Sequence, residues 1–328
     1  MASFLARRLL HAIAVMVIAV TLGFSLVHMA PGDAMTGDVT QAGRSSEASA
    51  RLRARAGLDQ PLFTQYVRFV RGALRGDLGH SLTDDQPVVT ILGTALRNSL
   101  ALAGAGLLAA IALGVFIGSA QGWYPDWRSF RLFGRALTTL YAIPEFVLAI
   151  ALIGALAYGA GWFPVGGMND PVTNLLGSAT ERFADALRHL FLPALTLALG
   201  WGAAVARQQR AAIAESAGDD FIRTARAKGR SEFAALVRHA LPTTVAPVIA
   251  VIGLMLPAMV GGSVIVEVVF AWPGLGVQIV HAVAQRDVPV VSGAIVVISL
   301  LVATSSLLID VVIRTADPRQ RVARPAST

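Results

Sequence analysis

Apolar residues recur along this chain in six long stretches, at 9–30, 99–120, 136–158, 190–206, 245–266 and 288–313, with polar or charged segments between them. Read as a helix at ~1.5 Å rise per residue, the first stretch is roughly 33 Å long, enough to cross the hydrocarbon of a bilayer. The pattern predicts an all-α, polytopic bundle of six transmembrane helices. The first stretch exceeds the ~7–15 apolar residues of a signal peptide. Pro31 also follows where cleavage would fall, so a retained anchor is expected. Pro144, Pro193, Pro247 and Pro257 lie inside the stretches, which a bundle tolerates where neighbours satisfy the freed carbonyls.

The segments between the spans set the orientation. With the N-terminus inside, the inner side holds Arg7 and Arg8, then Arg128, Arg131 and Arg135, and the tail residues Arg314, Arg319, Arg321 and Arg324. The loop between the fourth and fifth spans adds Arg207, Arg210, Arg223, Arg226, Lys228, Arg230 and Arg238, whereas the short outer loops hold Arg182, Arg188 and Arg286. The positive-inside rule then places both termini in the cytoplasm. The expected organisation is an N-terminal end and first span at 1–30, an outer helical segment at 31–97, a five-helix core at 98–314 that includes the inner loop 207–243, and a tail at 315–328. Within the outer segment, 46–56 and 61–74 read as two helices broken at GLDQP, followed by a turn at GDLGHS.

Composition agrees with a membrane chain: 55% hydrophobic and only 14% charged residues, with mean hydropathy +0.64. The net charge of +7 comes from arginines between apolar spans, without the aromatic platform of a nucleic-acid binder. There is no cysteine, and the six histidines are scattered without the spacing of a metal site. No G-x-x-x-x-G-K-[ST] loop occurs, so any nucleotide energy has to come from a partner. No catalytic constellation stands out either, and the chain is expected to be a non-enzyme.

One polar stretch interrupts this picture. RTARAKGRSEFAALVRHALP, residues 223–242, lies between the fourth and fifth spans. Phe233, Leu236, Val237, Ala240 and Leu241 recur at helical spacing and predict an apolar stripe. Ser231 is placed to cap this helix and Glu232 suits its positive end. Asp219 or Asp220 is placed to cap a helix from Phe221, Gly229 to end it, and Pro242 to redirect the chain. The expectation is two short helices bent at Gly229 on the inner membrane surface. On amphipathicity alone, an interfacial helix that merely obeys the positive-inside rule is the favoured reading.

The same segment resembles the cytoplasmic loop signature of permease subunits of ATP-driven, binding-protein-dependent importers, written E-A-A-x3-G-x9-I-x-L-P. Here Arg223 stands at the Glu, Thr224 at the first Ala, Ala225 at the second, Gly229 at the Gly, His239 at the Ile, and Leu241 and Pro242 at the closing pair. TARAKG and RHALP are similar to the dipeptide/oligopeptide/nickel branch. So are RRLL…PGD, GLDQPL, GDLGHSL, AIPEF, LPALTLAL, GGSVIVEVVFAWPGLG, RDVPVV and DPRQR in that order, and the early PGD with a long first outer segment resembles the B-type subunit.

The resemblance implies a type I importer permease core in the bacterial inner membrane. It implies a second homologous permease, two cytoplasmic ATPase domains that bind the ATP and Mg, and an external binding protein delivering di- or oligopeptides. Nickel or glutathione is the alternative cargo. The loop would be the coupling helix, with Ala225, Ala227 and Gly229 allowing close approach, Arg226 and Lys228 pairing with the ATPase, and Phe221 or Ile222 anchoring in it. A secondary transporter and an intramembrane enzyme are the rival classes. They call for internal repeats or a polar triad within the spans, and neither is evident in the sequence.

Intramembrane carboxylates default to paired or functional roles. Glu145, after Pro144, is expected to cap a broken helix or form a structural pair. Glu267 precedes Trp272, Pro273 and Gly274 of the WPGLG turn; it either lines the outer mouth or pairs with Arg286, beside Asp287. These seven residues are the candidate pathway or gate. Asp310 is expected to pair with an inner arginine.

Overall fold

The computed structural model describes residues 2–29 and 59–316. The expected 46–56 helix, the PGD motif and the DPRQR motif lie outside the described residues. No strand occurs among those described, and the only extended pairing among them is a bridge between His80 and Pro87. The helices are α1 (Ala2–Met29), α2 (Leu62–Leu74), α3 (Val88–Trp123), α4 (Arg128–Tyr141) and α5 (Glu145–Leu152), the last continued by wider π-helical turns over Ile153–Gly159. Then come α6 (Pro171–Leu176), α7 (Ala179–Ser216), α8 (Asp220–Ala227), and α9 (Glu232–Ala235), which runs through π-helical turns at Leu236–Ala240 into a turn at Leu241–Thr243. The chain continues as α10 (Val245–Val269), α11 (Leu275–Ala284) and α12 (Val288–Ala316).

Four of these helices, α1, α3, α7 and α12, are long and apolar enough to cross a membrane, and the number rises to six if two bent pairs each count as one span. One bent pair corrects the third expected span. Residues 136–158 are not one rod but α4 and α5, which turn by 114° at Pro144. Proline lacks the N–H for the helical ladder and disfavours the helical region for the residue before it, so α4 stops short of Ile143 and Glu145 opens a new helix. The fourth span is longer than expected, since α7 runs unbroken through Pro193. The decapeptide α11, read in the sequence as part of a loop, is a helix.

The chain divides into two compact units, one within 1–100 and 273–307 and the other within 101–272 and 308–328. In the first, Val88, Leu92, Leu275, Ala282, Val290 and Ala294 form the core. The aromatic residues of α1 and α2 add a second contact: Phe24 meets Tyr66 edge-on and stacks on Phe69, and the Thr21 and Tyr66 hydroxyls bond at 2.7 Å. Asp287 caps α12 by accepting from Val290 N at 3.3 Å, while its other oxygen accepts from the Ser81 hydroxyl and from Leu82 N.

In the second unit α7 is the central element. Of its most apolar stretch 72% is buried, although its mean hydropathy is the lowest of the four long helices at 1.5. A helix surrounded by protein can carry polar groups that lipid would penalise, because neighbours satisfy them. Its own Leu192, Leu197 and Trp201 form a core with Leu102, Val266 and Phe270. Contact with α3 is closest along Gly114, Gly118 and Gly122. A methyl on Gly118 would lie 2.5 Å from the Ala206 carbonyl oxygen, and one on Gly122 2.7 Å from that of Arg210. Small residues four apart let the two backbones touch.

The loop ahead of α7 is fixed by local caps. Asp170 accepts from Thr173 N at 2.8 Å, and Ser178 and Glu181 form a reciprocal capping box. The Thr173 bond holds the Asp170 carboxyl below the ordinary carboxylate range. A depressed folded value makes the cap complete at neutral pH and lost as pH falls through that value. Amide exchange at Thr173 should accordingly stay protected at neutral pH and lose protection only in acid, and an Asp170→Asn variant should remove that acid dependence.

Candidate functional site

The 207–243 loop folds back on the helices that enter and leave it. Asp219 occupies the N-cap position of α8, but its side chain makes no capping bond, so the expected cap is positional only. Helix α8 ends in a Schellman arrangement. Arg230 N donates to Ala225 O at 3.2 Å, Gly229 N to Arg226 O at 2.9 Å, and Gly229 adopts φ +77°, which glycine alone enters without strain. Ser231 then caps α9 through Ala234 N at 3.3 Å, as its position predicts. The expected bend at Gly229 is present.

The faces differ from expectation in three places. Ile222, offered as an anchor for a partner, is fully buried against Trp123, Ile213, Ala235, Leu236 and Ala240 of the same chain. Ala225, expected to allow close approach of a partner, is buried on the same inner side of α8. The stripe over α9 also departs in part: Phe233 is 70% exposed and Val237 41%, while Ala235 takes the buried place. Leu236 and Ala240 of the expected stripe are buried and Leu241 packs against them, so the departure is confined to Phe233, ahead of the wider turns at Leu236–Ala240, and Val237 within them. What faces outward is Phe221, Thr224, Arg226, Ala227, Lys228 and Gly229, with Phe233 beside them. On the exit turn His239 and Leu241 are half-buried and Pro242 is exposed.

Two polar junctions, both unread in the sequence, tie this loop to the long helices. Glu232 accepts from the Trp123 indole N–H at 3.0 Å and from Arg226 at 2.9 Å, and the Arg226 guanidinium lies 5.0 Å from the centre of the Trp123 ring. The end of α3 is thereby joined to both α8 and α9. Deeper in, the Gln209 amide of α7 donates to the Ser119 hydroxyl of α3 at 2.8 Å and to the Thr244 hydroxyl at the foot of α10 at 3.0 Å. All three side chains are buried, where unmade hydrogen bonds are costly, so the junction holds one geometry. Thr243 adds a bond to Ser216 at 3.2 Å. A signal in the sequence did mark the first contact, since Gly114, Gly118 and Gly122 aim α3 at this end of α7.

The candidate pathway residues fall in both units, with Glu145, Glu267 and Trp272 in the second and Pro273, Gly274, Arg286 and Asp287 in the first. Glu145 opens α5 close to Gly200, with the Trp201 side chain as its hydrogen-bond partner. The N-cap position is Pro144 and no side-chain capping bond is made, so Glu145 stands in the first turn without acting as the expected cap. Glu267 is fully buried and accepts from the Ser263 hydroxyl at 3.3 Å, so it does not line an open mouth in this conformation. Trp272 is buried too, with its N–H on the Glu267 carbonyl at 2.8 Å. Pro273 and Gly274 lead into α11, whose start is held by Asn98 donating to the Pro273 carbonyl and by Ser99 accepting from Leu275 N, each at 2.8 Å. Arg286 adopts φ +55°, and Asp287 is the buried cap of α12 that also holds the 81–83 turn.

Comparison with known proteins agrees with this layout. Residues 94–322 match the family model of the binding-protein-dependent transport system inner membrane component, and residues 1–103 match its N-terminal membrane-component model. Among curated relatives, the Di/tripeptide transport system permease protein DppB of Pseudomonas aeruginosa is 34% identical, covering 98% of this chain and 99% of its own. The Oligopeptide transport system permease protein AppB of Bacillus subtilis is 33% identical over 97% and 99%. The Dipeptide transport system permease protein DppB of Escherichia coli K12 is 32% identical over 98% and 99%. Among solved structures, a chain of the inward-facing MetNI methionine ABC transporter aligns with TM-score 0.53 and 18% identity, over 69% of this chain and 96% of that one; at this identity the likeness concerns the fold. With models matching along nearly its whole length and relatives above 30% identity end to end, the chain belongs to the inner membrane component family of binding-protein-dependent transport systems.

Proposed function

We propose that the chain forms one half of the translocation path for di- or oligopeptides in an ATP-driven importer, and that its 207–243 loop receives the stroke of a cytoplasmic ATPase. The observation that carries this reading is the buttressed loop. Its inner side is buried and bonded to α3, α7 and α10, while its outer side presents Phe221, Lys228 and Phe233. Exposed aromatic residues among cations suit an anchor-and-pocket interface, and the rigid backing passes a displacement on to the spans. A second homologous permease completes the path, an external binding protein supplies cargo, and ATP with Mg sits on the ATPase domains. Both termini face the cytoplasm. The chain carries out no covalent chemistry. The relatives' names support the peptide cargo.

Cysteine placed at Lys228 and oxidised against cysteines along the ATPase cleft tests the coupling. A nucleotide-dependent adduct is expected, and its absence at every cleft position would overturn the reading. Analysis of what the captured binding protein carries tests the cargo: peptide supports the assignment, and nickel or glutathione overturns it without touching the coupling.

A further inference from the structure

The first unit contains a cleft of about 530 Å³ that the transport reading leaves without a role. It opens where α1 ends and α12 begins, between the last turns of α1 at Phe24 and His28 and the first turns of α12 at Val288 and Ser292. The inner face of α2 and the 77–85 turn complete it. Its volume falls in the ordinary range of small-molecule sites.

Ser292 lines this cleft and is 3% exposed, and its hydroxyl has no hydrogen-bond partner, the one such buried side-chain atom found among the described residues. A buried hydroxyl left unpaired is unfavourable unless something supplies a partner. Charge of both signs lines the same cleft. Arg68 spends one guanidinium nitrogen on Gln60 Oε1 at 2.7 Å, and its fork keeps further N–H groups for a ligand. On the turn, Asp77 and Asp85 supply carboxylates, of which Asp77 uses one oxygen on Gly79 N at 2.9 Å. Phe24 and Phe69 make an apolar wall, stacked 5.8 Å apart.

The setting decides what such a ligand is. Two membrane-spanning helices change over to polar chain at this cleft, which places it at the depth of lipid headgroups. Helix α2 beside it exposes Leu62, Phe63 and Leu74 while carrying Arg68 and Arg71, the pattern of a helix lying in the interface. From the unpaired hydroxyl, the paired charges and this depth, we infer that the cleft binds the headgroup of a zwitterionic aminophospholipid. Its phosphodiester lies against Arg68 and the Ser292 hydroxyl, and its ammonium against Asp77 and Asp85. A soluble zwitterion such as a short peptide shares the charge pattern but has no use for the exposed apolar side chains of α2.

The test uses the complete importer in nanodiscs of phosphatidylethanolamine and phosphatidylglycerol, with a photoactivatable phosphatidylethanolamine as probe. Labelled peptides should map to α2, the 77–85 turn and the start of α12. Arg68→Ala should cut labelling about tenfold, the scale of a lost charge-assisted hydrogen bond. Ser292→Ala should also cut it, and because that change removes an unsatisfied hydroxyl the variant keeps its fold, to be checked by its melting temperature. Equal labelling by a phosphatidylglycerol probe would overturn the headgroup assignment. Displacement by soluble phosphoethanolamine or by a dipeptide would overturn the lipid source, and unchanged labelling in both variants would remove the site.

Discussion

Replacing Gly229 with proline should abolish ATP-driven uptake in proteoliposomes while the protein still inserts and keeps its helical content. The backbone at this position has φ +77°, whereas proline is confined near −65°, and the N–H that closes the Schellman arrangement on Arg226 disappears. Helix α8 then cannot hand over to α9, and the Arg226–Glu232–Trp123 junction loses its geometry. Gly229→Ala is the control. A methyl there meets nothing within 4 Å, so the only penalty is the left-handed backbone, about 1 kcal/mol. Partial uptake is expected for alanine and background uptake for proline. Uptake by the proline variant near the wild-type rate would remove the loop from the coupling path.

Gly118→Val should prevent formation of a stable permease altogether, read as loss of a monodisperse detergent-solubilised species and of any cooperative melt. The added side chain meets a backbone carbonyl 2.5 Å away and Gln209 Cβ at 2.8 Å, neither of which can rotate aside. Helices α3 and α7 must separate, and with them the buried Ser119–Gln209–Thr244 junction. Overpacking alone costs roughly 1–3 kcal/mol, and an unsatisfied buried amide adds about as much again. Gly104 on the same helix has open space around it, so Gly104→Val should be tolerated. Equal stability of the two variants would contradict the close contact described for α3 and α7.

Several of these features were readable before any coordinates. The apolar stretches, the break at Pro144, the Ser231 cap and the Gly229 bend follow from local rules, in which each residue acts on chain a few positions away. What escaped the sequence depends on distant partners. Gln209 is an unremarkable polar residue until Ser119, 90 positions away, and Thr244, 35 positions on, are brought to it. The length of α7 was hidden for the same reason. His189, Thr196 and Gln209 depress its hydropathy, and only burial among other helices makes them acceptable there. The stripe on α9 failed only in part: Leu236 and Ala240 are buried as the period predicts, while Phe233, ahead of the wider turns at Leu236–Ala240, faces outward.

Helix α7 also acts as a shared spine. It runs from the capped loop at Ser178 to Ser216 without interruption, about 57 Å at ~1.5 Å per residue, and α3 lies against it from Leu197 to Ile213. That line of contact covers about 24 Å. A pair touching over such a length tilts as one piece, so a push on either helix end is carried along both.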